Sequence, residues 1–121
     1  MNIENIREYC LSKKAVTESF PFDSKTLVFK VGGKIFSLAM LESIPLKINL
    51  KCDPDRALDL REQYESIKAG YHSNKMHWNT LELGGEIPQQ EVFELIDHSY
   101  ELVISNLTNK VREHYLLDEL L

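Results

Sequence analysis

The spacing of apolar residues along the chain alternates between the periods that distinguish strands from helices. From Leu46 to Lys51, apolar and polar residues alternate, so that Lys47, Asn49 and Lys51 share one side. This pattern predicts a strand with one buried side and one wet, basic side.

Two β-rich runs, Thr26–Val31 and Lys34–Leu41, are separated only by Gly32-Gly33. Two glycines between strands favour a tight primed turn, because both central positions of that turn need positive φ. A two-residue turn would place four apolar side chains on the core face of this hairpin. The predicted pairs are Phe29 with Phe36 and Leu27 with Leu38.

Apolar residues at three- and four-residue spacing predict three helices and a short fourth. Asn2 and Asp53 are predicted N-caps, and Pro54 suits the first helical position because its missing N–H is not needed there. The predicted helices run from Ile3 to about Ser12, from Pro54 to about Tyr64, from Pro88 through an apolar stripe ending at Leu107, and onward from Thr108.

A further strand is predicted over Trp78–Leu83. If Leu81 and Leu83 point inward, Asn79 lies on their side and Trp78 lies on the opposite side. The order is then helix, several strands, helix, strand, helix. Clustered strands joined by a hairpin favour an antiparallel sheet packed by helices, an α+β fold. We expect residues 1–121 to form a single domain.

The composition is that of a soluble globular protein, with 43% hydrophobic and 27% charged residues in 121. No basic segment followed by an apolar one opens the chain, and the apolar runs are too short to span a bilayer. We therefore expect a cytoplasmic protein without a membrane partner. Cys10 and Cys52 match no metal or redox spacing and are expected to be buried thiols. The oligomeric state stays open, and a monomer is compatible with the sequence.

Charge is distributed unevenly along the chain. Residues 82–121 hold nine of the 19 acidic residues but two of the 14 basic ones, whereas residues 25–51 hold five lysines and one acid, Glu42. A solvated sheet face explains the basic strand region without a function. A surface for an anion or a nucleic acid is the functional alternative.

Established catalytic and metal-binding motifs are missing from the sequence. His72 and His77 are five residues apart, whereas helical zinc ligands are four apart, and no acid or Cys completes a set nearby. We predict no metal, no cofactor and no catalytic residue. An enzyme using His77 as acid or base beside Lys75 is disfavoured, because no second group is visible to orient the histidine.

The segment Gly70–Thr80 stands out by its mixture of residues. It contains the only Trp of the chain and two of its four His, together with a Lys, two Asn and a Tyr. Such mixtures are typical of binding loops. The alternative is packing, with aromatic rings in the core or at an edge and with asparagines holding turns.

Five stretches along the chain form a family signature: Phe20-Pro21-Phe22, Leu27 to Lys34, Asn49 to Pro54, Gly70 to Thr80, and Asp97-His98-Ser99-Tyr100. Together they resemble the MmcQ/YjbR family over nearly the whole chain. The resemblance implies a small bacterial cytoplasmic protein with a compact α+β fold. It also implies a likeness to frataxin-like domains and to a double-wing DNA-binding arrangement. It carries no settled biochemical activity.

Two functional hypotheses follow. In the first, the basic sheet face and the Gly70–Thr80 segment bind DNA or another nucleic acid, with lysines on phosphates and aromatic rings on bases. In the second, a small anionic ligand binds in a polar pocket with Trp78 as its wall, or the C-terminal leucines bind a protein partner. The residues expected to line that pocket are Asn49, Lys51, Lys75, His77 and Asn79. The candidate residues are Lys30, Lys34, Lys47, Asn49, Lys51, Tyr71, His72, Asn74, Lys75, His77, Trp78 and Asn79.

Overall fold

The computed structural model of the chain describes residues 1–70 and 74–118. These residues form a six-stranded antiparallel sheet with strand order β1-β2-β3-β4-β6-β5, together with four helices. In chain order the elements are α1 (Ile3–Leu11), β1 (Val16–Ser19), β2 (Thr26–Val31), β3 (Lys34–Met40), β4 (Lys47–Lys51), α2 (Pro54–Gln63), β5 (Ile67–Ala69), β6 (Trp78–Glu82), α3 (Gln89–Ser105) and α4 (Asn109–His114). The predicted α+β class is confirmed.

The helices cover one face of the sheet, here called the helix face. α3 packs across β2, β3 and β4, while α1 lies against β1 and α2 against β5. Buried side chains of these helices, such as Ile6, Leu60 and Ile96, join one apolar cluster with Ile48 and Leu81 of the sheet. Residues that alternate with this inward set point to the opposite side, here called the open face.

The strand and helix signals of the sequence are largely confirmed. Ile48 and Leu50 are buried on the helix face, and Lys47, Asn49 and Lys51 point to the open face. Asn2 and Asp53 cap α1 and α2 through their side chains, as predicted. Gly32 and Gly33 both have positive φ in a two-residue turn.

The predicted pairing within the first hairpin is wrong beyond the turn. Phe29 lies opposite Ser37, and Leu27 lies opposite Ala39, because a bulge leaves Phe36 without a partner across the strand pair. Phe36 remains in the core, but Leu38 moves to the open face opposite Val28.

The edge strands β1 and β5 were not predicted. β1 is four residues long and β5 is three, and neither carries an apolar run that marks a strand. None of the helices in the described part of the chain is long and apolar enough to cross a membrane.

Candidate functional site

A cleft of about 670 Å³ opens where the β2–β3 turn, the end of β4 and the start of β6 meet. Three lysines and two aromatic rings line it, and no acidic residue within 1–70 and 74–118 does. The lining residues are Phe22, Lys30, Gly33, Lys34, Ile35, Lys51, Trp78, Val103 and Asn106. We call this feature the basic cleft.

Strand alternation brings Lys30, Lys51 and Trp78 to the open face, and the cleft extends past the β2–β3 turn to Val103 and Asn106 at the end of α3. Lys30 lies opposite Ile35 across the β2–β3 pair, and Lys51 lies directly opposite Trp78 across the β4–β6 pair. Directly opposed side chains on one face of a sheet are within contact range. The indole ring is therefore placed beside a lysine.

Ser99 of α3 holds the end of β4 in place. Its hydroxyl accepts a hydrogen bond from the Lys51 backbone N–H at 2.9 Å and donates one to the Phe36 carbonyl at 2.5 Å. The β3–β4 pairing ends at Ser37 and Leu50, and the buried hydroxyl joins the two strands one residue beyond that pair. Thus a helix side chain fixes the backbone that carries Lys51.

Arg61 of α2 holds the chain on both sides of Trp78. Its Nε donates to Asn79 Oδ1 at 2.7 Å, and one terminal nitrogen donates to the Lys75 carbonyl. The planar guanidinium presents several donors in fixed directions, which suits a clamp between two chain segments. No local pattern predicts this role of Arg61, because the contact joins a helix to a distant turn.

Gly70 allows the last strands to approach closely. Its N–H donates to the Trp78 carbonyl at 2.8 Å. A Cβ at this position would lie 2.7 Å from the Trp78 Cβ. A side chain there would therefore displace Trp78, so the glycine is needed for the position of the ring.

The lysines of the basic cleft are not neutralised by the residues around them. None of Lys30, Lys34 and Lys51 forms an ion pair with a residue in the ranges 1–70 and 74–118. α3 contributes Val103 and its C-cap Asn106 to the cleft, whereas its exposed acids, such as Glu94 and Glu101, are not among the lining residues. This separation explains how a chain with a pI of about 5.3 presents a basic surface.

The candidates from Gly70–Thr80 do not all reach the basic cleft. Trp78 lines it, whereas Asn74 and Lys75 are exposed in the turn that precedes β6. Asn74 Oδ1 accepts from the Met76 N–H at 2.9 Å, and the His77 carbonyl accepts from the Cys52 N–H at 2.7 Å. Tyr71 and His72 lie outside the described residues.

Asn79 does not join the predicted site. It lies on the helix face, is 1% exposed, and donates through Nδ2 to the Ala57 carbonyl at 3.3 Å. With the bond from Arg61, its amide links α2 to β6. Its burial and these hydrogen bonds give Asn79 a structural role.

Lys47 and Asn49 lie on another part of the open face. Lys47 stands directly opposite Glu82, and Asn49 is 5% exposed and accepts a hydrogen bond from Thr80 Oγ1. A second depression of about 440 Å³ here is lined by Lys47 and Lys68 but also by Glu65 and Glu82. Its charges are balanced, in contrast to those of the basic cleft.

The buried thiols are poor nucleophiles. Burial raises the pKa of Cys10 to about 12 and that of Cys52 to about 11. Both are free and buried, as expected from the sequence. Thiolates are the reactive form, so neither position is suited to nucleophilic catalysis at neutral pH. Among the described residues, no group of three His, Cys, Asp or Glu side chains is placed to hold a metal ion.

Phe22 and Ile35 line the basic cleft but were not among the predicted site residues. Phe22 belongs to the Phe20-Pro21-Phe22 stretch that contributed to the family resemblance. An apolar ring next to a proline in a loop was the available signal. Its exposed fraction, 66%, is large for a phenylalanine.

The fold and the open sheet face together define a small α+β protein with helices on one face of an antiparallel sheet. The chain belongs to the YjbR family, whose model matches residues 11–102. It is 31% identical over 114 residues to the uncharacterized protein YjbR of Escherichia coli K12, covering 93% of this chain and 96% of that protein. It is 40% identical over 108 residues to the uncharacterized protein YbdF of Escherichia coli O157:H7, covering 88% of each.

Solved structures show the same fold. Protein DR2400 of Deinococcus radiodurans, which carries a DUF419 domain, superposes with a TM-score of 0.91 at 38% identity, over 96% of this chain and 88% of that one. A Pseudomonas syringae protein superposes with a TM-score of 0.73 at 28% identity, over 84% of this chain and 98% of that one. The expected membership of the MmcQ/YjbR family is therefore confirmed.

Proposed function

We propose that this protein binds nucleic acid through the open face of its sheet, with the basic cleft at the centre of the contact. The observation that carries the proposal is a cleft lined by three lysines, Trp78 and Phe22 and by no acidic residue of the part of the chain that the structure describes. Lysines attract phosphates, and aromatic rings accept bases by stacking.

The spread of positive charge favours a ligand with several phosphates. Lys30 and Lys51 lie on strands separated by β3, so their backbones are about 10 Å apart. Lys47 and Lys51 are four residues apart on β4, a separation of about 13 Å. Lysines spread over this distance can contact successive phosphates of a strand that crosses the face.

An amide NMR titration of labelled protein at low salt tests this proposal. A short mixed-sequence duplex and one of its strands are the ligands. We expect shifts around Lys30–Ile35, Lys51 and Trp78 that salt reverses. Shifts confined to the helix face, or none with either ligand, contradict the proposal.

A matched pair of variants separates the cleft from general surface charge. Lys30→Gln removes a cleft lysine, and Lys25→Gln removes an exposed lysine paired to Glu42 at 3.5 Å outside the cleft. We expect weaker binding for Lys30→Gln and little change for Lys25→Gln. Equal losses in both variants contradict the assignment of the cleft.

A small anionic ligand is the second candidate function. A volume of about 670 Å³ lies within the usual range of small-molecule sites, 300 to 1,000 Å³ in round terms. Chain length distinguishes the candidates. Affinity that rises from a mononucleotide to a strand of about twelve nucleotides supports nucleic acid, and equal affinity at both lengths supports the small ligand.

A further inference from the structure

We infer that the bound nucleic acid is single-stranded and that one unstacked base enters the basic cleft, against Trp78 and beside Phe22. This inference rests on the proposed function and specifies which form of nucleic acid it accepts. It follows from the placement of the two aromatic rings rather than from charge.

Trp78 is held so that its ring lines the cleft without being buried in the core. Its strand position puts it on the open face opposite Lys51. Arg61 and Gly70 fix the backbone on either side of it. The backbone that carries the ring is therefore held in place before a base binds.

Phe22 occupies an exposed position that packing does not explain. The turn after it is fixed by Asp23, whose Oδ1 accepts from the Lys25 and Thr26 N–H groups at 2.8 Å each. These bonds also lower the pKa of the Asp23 carboxyl. The loop thus presents the ring to solvent at the cleft, where a base could cover it.

A duplex and a single strand differ in which surfaces of their bases are accessible to an aromatic side chain. In a duplex each base is stacked on both faces, so its flat surfaces are not available to a ring. In a single strand a base can turn out, stack on an aromatic side chain and leave its phosphates to nearby lysines. A cleft lined by aromatic rings and lysines, with no acid among the described residues, matches the second arrangement.

The fluorescence of Trp78 tests the inference directly, because it is the only tryptophan of the chain. Four ligands are compared at one salt concentration: an oligothymidylate, a strand of equal length with abasic sites throughout, a duplex of equal length, and inorganic triphosphate. We expect quenching by the oligothymidylate. We expect affinity about tenfold lower for the abasic strand, since each stacked base contributes measurably to single-strand binding.

The phenylalanines of the β1–β2 loop provide a matched pair of variants. Both rings are exposed, so neither substitution removes core packing, and Phe22 but not Phe20 lines the cleft. We expect Phe22→Ala to weaken oligothymidylate binding about tenfold without changing that of the abasic strand. Phe20→Ala should bind like the unchanged protein.

The outcomes separate this inference from the proposed function. Equal affinity for the oligothymidylate and the abasic strand, or for the strand and the duplex, overturns the inference while nucleic-acid binding stands. Equal effects of the two phenylalanine variants also overturn it. Failure of every nucleic acid to bind at low salt overturns both.

Discussion

The buried hydroxyl of Ser99 lies 2.9 Å from the backbone nitrogen of Lys51 and accepts its hydrogen bond. Because the same hydroxyl donates to the Phe36 carbonyl, one side chain of α3 joins β3 to β4 at the bulge. The helix face therefore supports the open face at the point where the basic cleft forms.

Replacing Ser99 with Ala tests this support. The Lys51 N–H and the Phe36 carbonyl would lose their buried partner, so we expect a loss of about 1–3 kcal/mol in the free energy of unfolding. Urea denaturation of both proteins measures this loss of free energy. Ser105→Ala on the same helix is the control, since Ser105 is exposed and its hydroxyl donates to the Leu102 carbonyl within its own helix. Similar losses in both variants would count against the bridge.

Gly70 and Gly85 offer a comparison between a crowded and an open glycine. A Cβ at Gly70 would meet the Trp78 Cβ at 2.7 Å, whereas a Cβ at Gly85 would meet only Ser66 Oγ at 3.9 Å. We expect Gly70→Ala to destabilise the protein by about 1–3 kcal/mol and to shift the emission of Trp78. Gly85→Ala should leave both the stability and the emission maximum near their original values. An unshifted emission in Gly70→Ala would show that the ring position does not depend on this glycine.

We expect the contacts of Arg61 to require the planar guanidinium group and not only its positive charge. Arg61→Lys keeps a cation but cannot reach Asn79 and the Lys75 carbonyl together. We expect lower stability and weaker nucleic-acid binding through movement of Trp78. The control is Arg7→Lys, because Arg7 forms an exposed fork-shaped pair with Glu18, which contributes little. If both variants bind equally well, Arg61 does not position the site.

Because of the environment of His98, we expect the free energy of unfolding to depend on pH. Burial, followed by the nearby Arg56, lowers its pKa from 6.5, and its Nε2 accepts the Asp53 N–H at 3.1 Å. The unfolded state therefore binds the proton more tightly than the folded state. The stabilising contribution is complete above pH 6.5 and is lost as pH falls through the lowered folded-state pKa.

Unfolding free energies measured between pH 8 and pH 5 test this dependence. We expect His98→Gln to flatten the part of the profile below pH 6.5. His114→Gln, at an exposed position on α4, serves as the control. A profile that keeps its full slope without His98 would assign the acid sensitivity to other groups.

Local patterns were sufficient to predict much of the open face. The alternation of Leu46 to Lys51 correctly assigned Lys51 to the side away from the core, whereas the pattern of β6 left the orientation of Trp78 open. The assignment of Lys51 depends only on the two-residue period of a strand.

The structural features that the sequence pattern did not predict depend on tertiary contacts. The carbonyl of Phe36, the bulged residue, accepts a hydrogen bond from Ser99, which is 63 residues away in sequence. The structural role of Asn79 depends on Arg61, which is 18 residues away and on another element. β5, with three residues, is defined by its pairing with β6 rather than by an apolar pattern of its own. No local period encodes such partners.

The salt dependence of single-strand binding tests the central claim most directly. The measurement is the slope of log affinity against log salt for the unchanged protein, for Lys51→Gln and for the control Lys25→Gln. If Lys51 contacts a phosphate, the slope for Lys51→Gln should be shallower than that of the unchanged protein by about 0.7. The slope for Lys25→Gln should equal that of the unchanged protein. Identical slopes in all three proteins, or no binding at low salt, would contradict nucleic-acid binding through the basic cleft.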